Sequence, residues 1–119
     1  MKLNHINLTV TDVPAAKAFL EKYFGMRMRD MGGERENNNF ALLLDDTGMA
    51  LTLMKAGHGT EVNYPGYFHI GFIQPSEQHV NDIYARLKAD GFDVQPPEQH
   101  HAWTFSVNAP GGFAVEILT

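Results

Sequence analysis

Six histidines and no cysteine bound the chemistry open to this 119-residue chain. Without thiols there are no disulfides, thiolate metal sites, iron–sulfur clusters or cysteine nucleophiles, and any metal must be held by His, Asp, Glu or neutral oxygen. Three residues stand out. His5 and His69 each lead into an apolar strand-like run, His5-Ile6 and His69-Ile70, and Glu116 interrupts another, Phe113-Ala114-Val115-Glu116-Ile117-Leu118. A carboxylate buried in such a strand is strongly unfavourable unless it is paired, protonated or bound to metal. Plainer readings stand beside these: a polar residue on a half-exposed strand for His5, a hydrogen-bonded core histidine for His69, a solvent-facing edge strand for Glu116. His58 lies in a glycine-rich stretch and His79 on a solvent-facing helix. Of the neighbours His100 and His101 only one can face a site. His101 shares the parity of Trp103 and Phe105 and is the candidate acid/base, against the reading as a surface-loop histidine.

The elements that must position these residues follow from the apolar periodicity. Residues 3–10 alternate, with Ile6, Leu8 and Val10 on one face and His5, Asn7 and Thr9 on the other, which predicts a strand. Thr11-Asp12 supplies a helix cap, Pro14 suits a first turn, and Gly25 ends a helix carrying Ala15, Ala18, Phe19, Tyr23 and Phe24. Strands are expected at 26–31, 40–44 and 49–55, with a polar break at 32–39. Residues 56–66, with three glycines and a proline, form a linker between module one (1–55) and module two (67–119). Module two repeats the order: a strand from Tyr67 to Ile73, a helix opened by Pro75-Ser76-Glu77 with Val80, Ile83, Tyr84 and Leu87 inward, then strands at 92–95, 102–107 and 113–118.

Both halves read β-α-β-β-β. His5 and His69 are 64 residues apart, and so are Gly48 and Gly112, which close the last turn of each half. At that offset Ala50, Leu51, Thr52 and Leu53 match Ala114, Val115, Glu116 and Ile117. Related units packed about a pseudo-twofold would bring His5, Thr52, His69 and Glu116 around one centre. Two imidazoles and one carboxylate form a facial set for a divalent ion, with positions left open for water or substrate. Asn7 and Thr52 lie on the ligand-bearing faces and could hydrogen-bond a bound substrate. Met54, Tyr67, Trp103 and Phe105 could line an apolar cavity, or be ordinary core.

The duplication, the opening Asn-His-Ile-Asn-Leu-Thr-Val-Thr-Asp-Val-Pro, His69 and the closing Pro-Gly-Gly-Phe-Ala-Val-Glu-Ile-Leu resemble the vicinal oxygen chelate superfamily. That group includes glyoxalase I, extradiol dioxygenases, fosfomycin-resistance enzymes, methylmalonyl-CoA epimerase and the bleomycin-resistance binding proteins. The resemblance spans essentially the whole chain. It implies an α+β fold of two βαβββ modules forming a cupped mixed β-sheet, and one divalent metal ion per site (Fe, Mn, Zn, Ni or Co). It further implies a homodimer with sites between subunits, His5 of one joining His69 and Glu116 of the other, and a small substrate that chelates through adjacent oxygens. Lyase, isomerase and dioxygenase chemistry all fit that description. Two departures narrow it. Thr52 stands where glyoxalase I carries a ligand such as Glu or Gln. Asn7 stands where the fosfomycin enzymes carry Thr, and residues 98–108 contain no Lys or Arg to meet a strong anion.

The rival reading is a metal-free small-molecule or drug-binding protein of the bleomycin-resistance type, using Trp103, Phe105 and Tyr67 as an aromatic lining. A net charge of −5 without a basic block excludes nucleic acid and anionic membrane surfaces as natural partners. No apolar run reaches the length of a spanning helix and no signal peptide is apparent at the start, so a cytoplasmic protein is expected.

Overall fold

The computed structural model describes residues 1–29 and 37–119. The chain divides into two compact units, Met1–Asn63 with Pro110–Gly112, and Tyr64–Ala109 with Phe113–Thr119.

The first unit holds β1 (His5–Val10), α1 (Val13–Phe24), β2 (Arg27–Met28), β3 (Phe40–Leu44) and β4 (Ala50–Lys55). They form a mixed sheet of order β1-β4-β3-β2, β1 running parallel to β4 and the other pairs antiparallel. Asp12 caps α1 by accepting from the Ala15 amide at 3.0 Å. Gly25 closes the helix at φ 65°, in the left-handed region that a side chain disfavours. The inward face of α1 is Val13, Ala16, Phe19, Leu20 and Tyr23. It is rotated slightly from the expected stripe, and Ala18 is exposed. Leu8, Val10, Ala41, Leu43, Leu51 and Leu53 complete this core.

The second unit holds β5 (Ile70–Ile73), α2 (Glu77–Ala89), β6 (Glu98–Gln99), β7 (Trp103–Ala109) and β8 (Phe113–Leu118), in a sheet of order β5-β8-β7-β6. Its core is Val80, Ile83 and Leu87 from α2 against Phe105, Val107, Val115 and Ile117. The architecture is therefore α+β, with two four-stranded mixed sheets of the same strand order. The 64-residue offset holds for the three longer strands of each unit, though not for β2 and β6. Ile6 pairs with Leu51 and Ile70 with Val115, while Leu43 pairs with Leu51 and Val107 with Val115.

The differences from the sequence-based expectation are local. No strand forms at 92–95; β6 is Glu98–Gln99, after Pro96 and Pro97, whose missing amide hydrogens cannot extend a ladder. Val94 is nonetheless buried. The opening strand of this unit starts at Ile70 rather than Tyr67, because a turn closed by the Phe68 amide on the Pro65 carbonyl (2.9 Å) occupies the preceding residues. The strand expected at 26–31 is seen as Arg27–Met28; residues 30–31 and most of the polar break lie outside the described residues.

Candidate functional site

Glu116 sits in β8 between β5 and β7, in the interior of its sheet rather than at an edge. Its neighbours in register are Gly71 and Ser106, and the residue is only 9% exposed. A central position with little water demands partners for the carboxylate, and the second unit supplies three. Thr104 donates to Oε1 at 2.7 Å, His101 Nε2 meets the same oxygen at 2.9 Å, and His69 Nε2 stands 3.0 Å from Oε2. Burial is the largest single influence on this carboxyl and works against its charge. The Thr104 hydrogen bond, the charge and hydrogen bond of His101 and the charge of His69 outweigh it, holding the group below its ordinary range.

His69 is exposed, which removes the core-histidine reading. Its Nδ1 lies 3.0 Å from the Tyr67 carbonyl. A carbonyl only accepts, so Nδ1 carries the hydrogen, and in the neutral ring Nε2 presents a lone pair toward Oε2. Two electron-rich atoms facing one another at 3.0 Å are favourable only with a proton or a cation shared between them. An imidazole whose far nitrogen is tied to a carbonyl, beside an ionised carboxylate, is also the donor pair that a divalent ion requires. The pair fits the implied metal. His101 addresses the opposite oxygen, so the three side chains do not converge, and among the described residues no three His, Cys, Asp or Glu stand together as a ready-made metal cage.

Other expected residues are dispersed. His101 reaches Glu116 although strand parity alone would place it with Trp103 and Phe105; residues 100–102 form a bend, with the His100 amide bonded to the Ala102 carbonyl at 2.9 Å, and parity does not carry through it. Trp103 and Phe105 face away from Glu116. Trp103 Nε1 donates to Asn81 Oδ1 on α2 at 2.8 Å, and Phe105 meets Tyr84 of α2 edge-on at 5.7 Å between centroids. Tyr67 lies in the turn before β5, 97% exposed. In the first unit His5 is exposed, with Nδ1 3.0 Å from Asn4 Oδ1. Thr52 and Asn7 are register partners joined by a 2.5 Å hydrogen bond, and Met54 is exposed near the end of β4. His100 pairs with Glu98 at the surface, and His79 bonds Ser76 at the start of α2. Thr104 escaped the sequence reading. Once the turn at Pro110–Gly112 sets the β7–β8 register, Thr104 pairs with Leu118 and becomes the diagonal neighbour of Glu116 on one face.

The match of a family model to this chain agrees with the doubled fold. The model of the Glyoxalase/Bleomycin resistance protein/Dioxygenase superfamily matches residues 2–117. The chain belongs to that superfamily. Among solved members of similar structure is a possible glyoxalase from Bacillus cereus, 52% identical with a TM-score of 0.88, the alignment covering 100% of this chain and 99% of that one. A mutant of the fosfomycin resistance protein FosX from Listeria monocytogenes, complexed with Mn(II) and 1S,2S-dihydroxypropylphosphonic acid, is 21% identical with a TM-score of 0.78, covering 99% and 91%. Lactoylglutathione lyase from Agrobacterium tumefaciens is 17% identical with a TM-score of 0.72, covering 98% and 92%. At those identities the last two show the superfamily's fold alone. No curated protein matches the chain. Among the described residues no helix is long and apolar enough to cross a membrane.

Proposed function

We propose that this superfamily member is a divalent-metal-dependent enzyme, with His5, His69 and Glu116 as metal ligands and a small substrate that chelates through adjacent oxygens. The observation that carries the reading is the buried, ionised Glu116 with Nε2 of His69 set against its Oε2 at 3.0 Å. His5 is assigned by its equivalence to His69 at the 64-residue offset. The two modules then act as one functional domain in a homodimer, His5 coming from one subunit and the other two ligands from its partner. A bound divalent ion would supply Lewis acidity, stabilising negative charge that develops on the substrate's oxygens.

The remaining roles fall to the chain's own side chains. The Tyr67 carbonyl, accepting from Nδ1, keeps the His69 ring oriented with Nε2 toward Glu116. His101, at Glu116 Oε1, is the group placed to hold or move a proton beside the ligand carboxylate. Asn7 on β1, the strand that begins with His5, and Thr52 beside it on β4, already hydrogen-bonded, offer a polar contact, with Met54 and Tyr67 as apolar surface for the substrate's remainder. Trp103 and Phe105 are taken up in holding α2 to its sheet, which leaves metal-free sequestration with Tyr67 alone of its three aromatics.

Elemental analysis of untagged protein purified without chelator tests the proposal. The expected result is about one divalent metal per chain, lost in His69→Ala and in Glu116→Ala. A wild type that is empty and takes up none of Fe(II), Mn(II), Co(II), Ni(II) or Zn(II) would overturn it.

A further inference from the structure

The two oxygens of Glu116 are treated differently. Oε1 receives the Thr104 hydroxyl at 2.7 Å and His101 Nε2 at 2.9 Å, while among the described residues Oε2 faces His69 alone. Thr104 is 8% exposed and locked in place, since its hydroxyl also lies 3.0 Å from the Ile117 carbonyl. A hydroxyl has one hydrogen to give. The shorter contact is to the charged acceptor, and charge-assisted hydrogen bonds are the stronger, so the hydrogen goes to Oε1. The β-branched side chain has few χ1 alternatives in a strand, so little entropy is lost in holding this geometry.

We infer that Thr104 is a positioning residue whose hydroxyl, together with His101, occupies Oε1 of Glu116 so that the carboxylate is offered to a divalent ion through Oε2 alone, beside Nε2 of His69. The inference rests on the reading of His69 and Glu116 as metal ligands. It adds that the carboxylate binds through one oxygen, and that the residue fixing which oxygen lies one diagonal away on β7. Removing the hydroxyl frees the carboxylate to turn, and the donor pair loses its alignment without losing either donor.

Mn(II) alone, titrated into the untagged protein and followed by the electron paramagnetic resonance of the free ion, is the test, with Co(II) and its visible absorption as a second probe. Thr104→Val keeps the shape and removes the hydroxyl; binding should weaken by about 10–100-fold, the range for loss of an outer-shell partner of a ligand. Thr104→Ser keeps the hydroxyl and should restore most of the affinity, with Thr104→Ala replacing the valine variant should that one not fold. Wild-type affinity in Thr104→Val beside loss in Glu116→Ala would overturn the role of Thr104 and leave the metal reading standing. Equal weakening in the valine and serine variants would also overturn it, by making packing the cause. A wild type that binds neither ion would overturn the inference and the metal reading together.

Discussion

In the first sheet Leu42 lies opposite Thr52; 64 residues further on, in the second, Ser106 lies opposite Glu116. The same offset relates Phe40, paired with Met54, to Thr104, paired with Leu118. The outward row of β3 is thus Phe40, Leu42 and Leu44, and that of β7 is Thr104, Ser106 and Asn108. The inward rows agree in character: Ala41, Leu43, Leu51 and Leu53 in one unit, Phe105, Val107, Val115 and Ile117 in the other, all buried. A strand's two faces answer to different demands. The inward face must fill a core, which holds the register, because a one-residue slip would turn every apolar side chain outward. The outward face is free to specialise. In this protein the second sheet carries a buried carboxylate with its hydrogen-bond partners, while the first has a Thr52–Asn7 pair at the matching position.

The comparison can be broken most severely at the core. Leu53 and Ile117 are both fully buried and occupy equivalent places. Leu53→Ala and Ile117→Ala should each cost about 2–5 kcal/mol in chemical denaturation. A small loss at one of them alone would show that the inner faces are not equivalent. A milder effect belongs to the outward face of the first sheet. Thr52→Val removes the hydrogen bond to Asn7 and should cost roughly 0.5–1.5 kcal/mol with no change in divalent-metal uptake; a loss of uptake would place Thr52 among the ligands. Smallest and most specific is the effect of acid. The Glu116 carboxyl is held below its ordinary value, as is Asp45, where burial again opposes the charge but hydrogen bonds from Thr47, Met49 and Gly48 prevail. A group depressed in the folded state gives stability that is present above its unfolded pKa and is lost as pH falls through the folded one. Thermal midpoints should therefore fall on acidification below the ordinary carboxylate range, and less steeply in Glu116→Gln and Asp45→Asn than in wild type. Parallel curves for all three would deny the carboxylates that role.

Much of the fold was legible because it rests on short-range periodicity. The alternation in residues 5–10 and 113–118, the Asp12 cap, the helix start at Pro75-Ser76-Glu77 and the common offset all express how side chains must point from strands and helices. The strand expected at 92–95 was not, because Val94 is buried without joining a ladder and the two prolines that follow move the pairing to Glu98–Gln99. The site was legible as a set of residue types rather than as contacts. Glu116 and His69 stood out as polar groups in apolar strands, and the structure brings them together. His101 arrives through a bend that period-two parity does not describe. Thr104 becomes visible only when the hairpin register is known. Trp103 and Phe105 were open to two readings, cavity lining or ordinary core. Their chemistry suggests a binding surface, but their parity with Ile117 rather than Glu116 commits them to the helix side.

The central claim, that the specialised face of the second sheet holds a divalent ion through His69 and Glu116, is tested most directly by anomalous diffraction from crystals grown with Zn(II). The account predicts one strong peak about 2.0–2.2 Å from His69 Nε2 and from a Glu116 oxygen, with His5 completing the set and Thr104 still on the other oxygen. A peak elsewhere, or none, with His69 and His101 still closed on Glu116, would contradict it.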